Sequence, residues 1–240
     1  PPLPALVVVT GMARRSLLFS PGDRPEMLRK APRSGADVVI FDLEDAVAPP
    51  RKDEARETVS SVLSEDGFDP DCEVCVRVNP ESVAADSDLN ALENVTRLDS
   101  VMLPKVESTA AVETLDRLLA EHDLDVDVIA IAETASGVLN APAIAAMEPI
   151  DAILFGAEDL AADVGASRTA GGEEVLHARE HIVLAAAAAS VDAIDTVYTD
   201  IDDLDGLRED VAFAIRLGFD GKPAIHPAQV EVINAAFTPC

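Results

Sequence analysis

The chain has no tryptophan, one tyrosine and only four lysines, Lys30, Lys52, Lys105 and Lys222. Each shortage excludes something. With 18 basic against 45 acidic residues and a net charge of −27, most of the surface repels polyanions, which counts against nucleic acid and anionic membranes as partners. Three cysteines, Cys72, Cys75 and Cys240, make no disulfide framework and fit a reducing cytoplasm. Cys72 and Cys75 form a CxxC at the start of a predicted strand, where positions three apart point to opposite faces, and no second CxxC or paired His follows. The apolar run Leu3 to Val9 is too short to cross a bilayer. No glycine-rich dinucleotide fingerprint follows a strand. His177 and His181 lie four apart without the acid of an HExxH motif, and Asp200, Asp202, Asp203 and Asp205 lack the EF-hand pattern, so both groups read as surface.

What is present is a chain of 240 residues, 48% hydrophobic, long enough for one full α/β barrel and without a composition break to mark a linker. Abundant Asp, Ala and Val with few Lys and aromatics is the composition of a cytoplasmic protein adapted to molar salt, where the Debye length falls to ~3 Å and self-repulsion is screened. Residues 1–13 read as a disordered leader and 14–240 as a single domain.

Apolar or β-branched runs recur at Ser16 to Phe19, Val38 to Phe41, Val74 to Val78, Ser100 to Leu103, Val128 to Ala132, Ala152 to Phe155, Ala193 to Val197 and Pro223 to Ile225. Their continuous apolarity suits strands buried on both faces. Helical patterns lie between them at Pro25 to Ala31, Lys52 to Ser64, Ala84 to Arg97, Ala110 to Glu121, Ala141 to Met147, Glu173 to Ser190, Leu204 to Leu217 and Pro227 to Phe237. Eight alternating β and α units predict a parallel (β/α)8 TIM barrel rather than an open sheet.

That fold builds its sites where strands end, and polar residues gather there. The second run leads into Asp42, Glu44 and Asp45, the third carries Arg77 and Asn79, and the fourth ends in Pro104-Lys105. The fifth ends in Glu133, the sixth in Gly156, Glu158 and Asp159, the seventh offers Asp195 and Tyr198, and the eighth His226-Pro227. Singly, Glu133 or Asp159 could be a helix N-terminal acid favoured by the dipole. Together they sit over one barrel mouth, with no His or Cys beside them, and point to a hard, oxygen-liganded cation: Mg2+, with Mn2+ as the alternative. Arg77 beside such a cation can grip a carboxylate in a bidentate fork, the arrangement of a keto-acid clamp. His226 reads more readily as orienting its turn than as a substrate contact.

The segments RRSLLFSPGDRPEMLRKA (Arg14 to Ala31), DVVIFDLEDAVAPPRKDEAR (Asp37 to Arg56), VRVNP (Val76 to Pro80), LPKVES (Leu103 to Ser108), IAETASGVLNAPAI (Ile131 to Ile144), FGAEDLAADVG (Phe155 to Gly165), AIDTVYTDIDDLDGL (Ala193 to Leu207) and GFDGKPAIHPAQVEVIN (Gly218 to Asn234) resemble, in order, the citrate lyase β-subunit-like proteins of the HpcH/HpaI aldolase superfamily. The superfamily also holds malyl-CoA, β-methylmalyl-CoA and citramalyl-CoA lyases. The resemblance implies a TIM barrel assembled as a homotrimer or hexamer, with Mg2+ on Glu133 and Asp159. It implies that Glu44 and Asp45 hold waters of the metal's shell and that Arg77 binds the keto acid. Arg15 and Lys30 are then contacts for the CoA phosphates or supports of that pocket, and Lys105 a charge-balancing neighbour. The implied reaction is cleavage of a 3-hydroxy-diacyl-CoA to an acyl-CoA and a 2-keto acid. A malyl-CoA thioesterase and a non-catalytic CoA-binding subunit are the alternatives. CoA-using relatives also carry a lid with an Asp beyond the IHP motif, which has no counterpart before Cys240.

Overall fold

The computed structural model describes residues 13–238. Of the expected leader, residues 1–12 lie outside the described residues. The strands are β1 (Ser16–Pro21), β2 (Val38–Asp42), β3 (Glu73–Arg77), β4 (Ser100–Leu103), β5 (Asp127–Ala132), β6 (Ile150–Phe155), β7 (Asp192–Ile194) and β8 (Lys222–Ala224). The helices are α1 (Pro25–Lys30), α2 (Lys52–Leu63), α3 (Ser82–Asn90), α4 (Thr109–Glu121), α5 (Ala135–Ala145), α6 (Ala157–Asp163), α7 (Leu176–Ala189), α8 (Leu204–Leu217) and α9 (Pro227–Phe237). Neighbouring strands pair in parallel in the order β7-β6-β5-β4-β3-β2-β1-β8, which is the expected (β/α)8 barrel.

Alternation along the strands sorts the core into layers. Leu17, Ile40, Cys75, Met102, Ile129, Ile131, Leu154 and Ile194 fill the barrel interior, while residues such as Val39, Val74, Val76 and Val101 pack outward on the helices. Cys75 is in the first group, and half-buried Cys72 packs against the second. The two thiols serve packing on different faces. The N-terminal end of the barrel is plugged by Arg14, whose guanidinium binds Glu73 at 2.7 Å, Asp192 at 3.2 Å and also Asp151. Asp151 stands where the β5–β6 register shifts.

β7 and β8 share only the bridge between Ile194 and Gly221, extended by Asp195 N–H to Gly221 O at 2.9 Å. Charge closes this seam. Asp195 takes a fork from Arg179 (2.9 and 2.6 Å) and a bond from Lys222 Nζ (2.7 Å), and Asp210 on α8 lies 2.6 Å from the same Nζ. Asp195 and Lys222 are fully buried, so each cation needs its carboxylates and removing any member strands a buried charge.

His122 follows α4 with both ring nitrogens facing acids, Glu93 at 2.6 Å and Asp86 at 3.0 Å. Hydrogen bonding to Glu93, then to Asp86, raises its pKa above the ordinary value despite partial desolvation. A raised folded-state pKa stabilises the fold fully below the unfolded value, roughly 6.5, and the benefit is lost as pH rises through the folded-state value. The melting temperature of wild type should therefore exceed that of His122→Gln at pH 6, and the gap should close on the alkaline side. A gap that widens with pH would contradict the clamp.

Candidate active site

Asp42 and Arg77 are the last residues of β2 and β3 and are paired across the ladder. Asp42 holds Arg77 through Nε (2.7 Å) and Nη2 (2.5 Å) and also accepts the N–H groups of Glu44 (2.8 Å) and Ala46 (3.0 Å). The side-on fork expected for a ligand is thus taken by Asp42, and ligand binding falls to the remaining Nη donors. Arg77 also lies 5.0 Å above the Phe19 ring and 3.2 Å from Glu44. Burial works against its charge, but Asp42, then Glu44 and Asp45, raise its pKa so that it stays a cation.

Glu44 is 3% exposed. Its carboxylate binds Lys105 Nζ at 2.5 Å and the Asp45 N–H at 3.0 Å. Burial pushes its pKa up while Lys105 and Arg77 pull it down, and burial prevails. Asp45 is exposed, 3.7 Å from Lys105 Nζ. The β2–α2 turn that carries both acids is pinned by Lys52, whose Nζ donates to Leu43 O (2.6 Å), Glu44 O (2.6 Å) and Asn79 Oδ1 (2.8 Å).

Glu133 follows β5 and is 5% exposed. One oxygen accepts the Lys105 backbone N–H at 2.8 Å; Lys105 has φ +54°, a left-handed conformation costly for a side chain with a Cβ and often found at functional sites. Burial, then the like charge of Asp159 and of Glu44, pushes Glu133 up to about 8. Two carboxylates brought this close at the barrel mouth favour a cation between them. Gly156 allows the approach: a Cβ there would lie 2.4 Å from Glu133 Cβ and 2.7 Å from its Oε2. Gly156→Ala should therefore displace Glu133 and destabilise the fold by about 1–3 kcal/mol, measured by urea unfolding. An unperturbed midpoint would show that the ends of β5 and β6 move apart at no cost.

Asp42, Arg77, Glu133 and Asp159 face a cavity of about 320 Å3 whose other walls include Phe19, Ile131, Leu154, Thr196, Val197 and Ile225. A larger groove of about 820 Å3 lies at the opposite pole, where Asp99, Asp116, Asp123, Asp125, Asp127 and Glu148 line it. It is open and one-signed, without a cation or a barrel mouth, and the chemistry belongs to the smaller cavity. Among the described residues no three His, Cys, Asp or Glu side chains form a metal-holding group. The two-carboxylate set of Glu133 and Asp159 fits Mg2+, which commonly takes one or two protein carboxylates and keeps several waters.

The structure brings together Arg77, Glu44, Asp45, Lys105, Glu133 and Asp159. It does not bring Arg15 there. Arg15 precedes β1, so it sits at the strands' N-terminal pole, bound to Asp37 at 2.8 Å and to Thr238 at 2.7 Å. Lys30 closes α1, about 9 Å of helix away from that helix's start at the mouth, exposed and without an ion pair among the described residues. Glu158 also borders the cavity, but its carboxylate is paired with Arg168 at 2.8 Å, leaving Asp159 for Glu133. Asp195 belongs to the seam, and Tyr198 bonds Asp203 at 2.8 Å. His226 caps α9, accepting Ala228 N–H at 3.2 Å, with Gln229 completing a capping box. Thr196, on the cavity wall, escaped the sequence reading because a threonine at a strand end reads as an ordinary β-former.

Residues 15–227 match the family described as HpcH/HpaI aldolase/citrate lyase. A citrate lyase subunit beta-like protein of Deinococcus radiodurans is 39% identical over 231 residues, covering 94% of this chain and 80% of that one. The mitochondrial citramalyl-CoA lyase of Rattus norvegicus is 36% identical over 244 residues, covering 94% and 72%. The crystal structure of CitE from Mycobacterium tuberculosis in complex with magnesium, acetoacetate and coenzyme A superimposes with a TM-score of 0.83 at 40% identity, covering 95% and 82%. Sequence, fold and relatives agree, and the chain belongs to the HpcH/HpaI aldolase/citrate lyase family.

Proposed function

We propose that this protein is a Mg2+-dependent carbon–carbon lyase that cleaves a 3-hydroxy-diacyl-CoA of the malyl-CoA, β-methylmalyl-CoA or citramalyl-CoA type. The products are an acyl-CoA and a small 2-keto acid. The observation that carries this reading is the Glu133–Asp159 carboxylate pair facing the fixed cation of Arg77 across one small cavity. Supporting it are relatives named as a citramalyl-CoA lyase and as a complex with magnesium and coenzyme A.

Glu133 and Asp159 would hold the cation, with Mn2+ able to replace Mg2+. Bound there, it supplies Lewis-acid stabilisation of the oxygen that changes from hydroxyl to carbonyl. Arg77, immobilised by Asp42, offers its remaining Nη donors to the keto acid's carboxylate. Glu44 keeps Arg77 and Lys105 in place, and Asp45, exposed beside Lys105, would order water over the mouth. Phe19, Ile131 and Leu154 exclude water from the breaking bond. As the C–C bond breaks, its electron pair passes to the acyl-CoA α-carbon, the hydroxyl loses its proton, and the resulting enolate is reprotonated. The CoA phosphates would meet the rim cations; Lys30 remains a candidate, and Arg24 and Arg51 stand in the loops after β1 and β2. A homotrimer or hexamer is the assembly proposed.

The test follows glyoxylate or pyruvate, free CoA and acyl-CoA together, using malyl-CoA and citramalyl-CoA with Mg2+ in molar KCl. Keto acid with acyl-CoA supports the lyase. Free CoA and the intact hydroxy-diacid without keto acid would replace it with a thioesterase. No turnover of any of these substrates would leave a CoA-binding subunit.

A further inference from the structure

The start of α6 is tied to the barrel on two sides. Gly156 N–H reaches across to Ala132 O of β5 at 3.1 Å. On the other side, Ala157 N–H donates to Thr196 Oγ1, just after β7, at 3.1 Å. Ala157 is fully buried and Thr196 is 3% exposed, so no bulk water substitutes at either end. Asp159 follows Ala157 by two residues, in the first turn of the same helix. Glu133 immediately follows Ala132. The first tie therefore locates α6 against the strand that carries one carboxylate of the pair, and the second fixes the rotation of the turn that carries the other.

Thr196 is itself held from behind. Its carbonyl accepts Lys222 Nζ at 2.6 Å, the ammonium that also binds Asp195 at 2.7 Å. The seam cluster of Arg179, Asp195, Asp210 and Lys222 thus ends, through one residue, at the helix turn bearing Asp159. From this we infer that Thr196 is a positioning residue for the metal site: its hydroxyl sets Asp159 against Glu133, and the ion cluster between β7 and β8 holds that hydroxyl in place. The inference rests on the metal reading above and adds to it a residue outside the carboxylate pair.

The chemistry of the side chain makes the claim specific. Valine has threonine's shape but no acceptor, and would leave the buried Ala157 N–H without a partner. Serine keeps the acceptor and gives up one methyl group. Partners that orient metal ligands typically contribute 10- to 100-fold to affinity.

The experiment titrates Mn2+ into the substrate-free protein in molar KCl and follows the free ion by electron paramagnetic resonance. Wild type should bind one ion and Asp159→Asn none; failure of wild type to bind overturns the metal reading itself. With that established, Thr196→Val should weaken Mn2+ roughly tenfold or more, and Thr196→Ser should stay within about twofold of wild type. Circular dichroism confirms which variants are folded, and Thr196→Ala, which adds no bulk, supplies the comparison if the valine protein does not fold. Wild-type affinity in a folded variant without the hydroxyl would overturn the positioning role. So would a folded serine variant that binds as weakly as valine.

Discussion

Asp159→Asn is expected to lower lyase turnover roughly 1000-fold, because Lewis-acid stabilisation is worth several kcal/mol and each 1.36 kcal/mol is tenfold in rate. The same substitution should leave the metal-free protein as stable as wild type, or more so. In the absence of a cation, buried Glu133 faces the like charge of Asp159, and that repulsion is one of the causes of its raised pKa. Asparagine removes it and offers an amide donor in its place. The signature is a crossing of effects. Wild type should gain about 2.7 kcal/mol at a Mg2+ concentration 100 times the dissociation constant, whereas the variant should gain nothing. Thermal unfolding with and without Mg2+ reads this independently of any substrate. A variant that keeps the Mg2+ shift would sink the assignment of Asp159, and one that loses stability without metal would mean that the Asp159 carboxylate is held by favourable contacts in the metal-free fold instead of being repelled by Glu133.

The same pair shows which parts of the molecule the sequence could reveal. Strand runs were legible because both faces of a barrel strand are buried, so Val38 to Phe41 or Ser100 to Leu103 is apolar without interruption. Helix limits were less so. The pattern Ala84 to Arg97 extends past Asn90 through Leu92 and Val95, but in the fold these side chains reach the core from a non-helical segment, with Thr96 Oγ1 bonded to Leu63 O at 2.9 Å. Conversely α5 begins at Ala135, six residues before its predicted start. Gly137 weakens the helical pattern there, yet a Cβ at that position would lie 2.4 Å from Val106 O. The seven-residue α6 is too short to show a helical period of its own, and only its two acids stand out in the sequence.

At the site, residue type and strand position together picked out Glu133, Asp159 and Arg77, because charges at the ends of buried runs are conspicuous. Arg15 shows the limit of residue type alone. A residue before a strand lies at the opposite pole from one after it, and that polarity places Arg15 with Asp37, away from the mouth. Asp42 and Lys52 act through partners distant in sequence, Arg77 and Asn79. Their tasks became readable only once the ladder between β2 and β3 had set those partners beside them.

Lowering KCl from 2 M to 0.01 M is expected to unfold the protein at 25 °C or bring it close to that point, and the salt range of the loss identifies the cause. Spread evenly over 11783 Å2 of accessible surface, 45 acidic residues stand on the order of 16 Å apart. The Debye length is ~3 Å at 1 M, ~10 Å at 0.1 M and ~30 Å at 0.01 M, so it overtakes that spacing between 0.1 M and 0.01 M. Repulsion among many acids then acts together, with only 18 basic residues to oppose it. The arginines already engaged, such as Arg29 with Glu65 at 2.5 Å, gain strength at low salt but are outnumbered. If screening governs stability, the melting temperature should be nearly flat from 2 M to 0.3 M and fall steeply below 0.1 M, equally in KCl and NaCl. A decline that begins above 1 M lies where every pair is already screened, and would assign salt dependence to ion hydration of the acidic surface instead of charge repulsion. Sodium sulfate separates the two further: as an excluded, kosmotropic salt it strengthens apolar burial, so a large gain over KCl at matched ionic strength would place the deficit in the aromatic-poor core rather than on the surface.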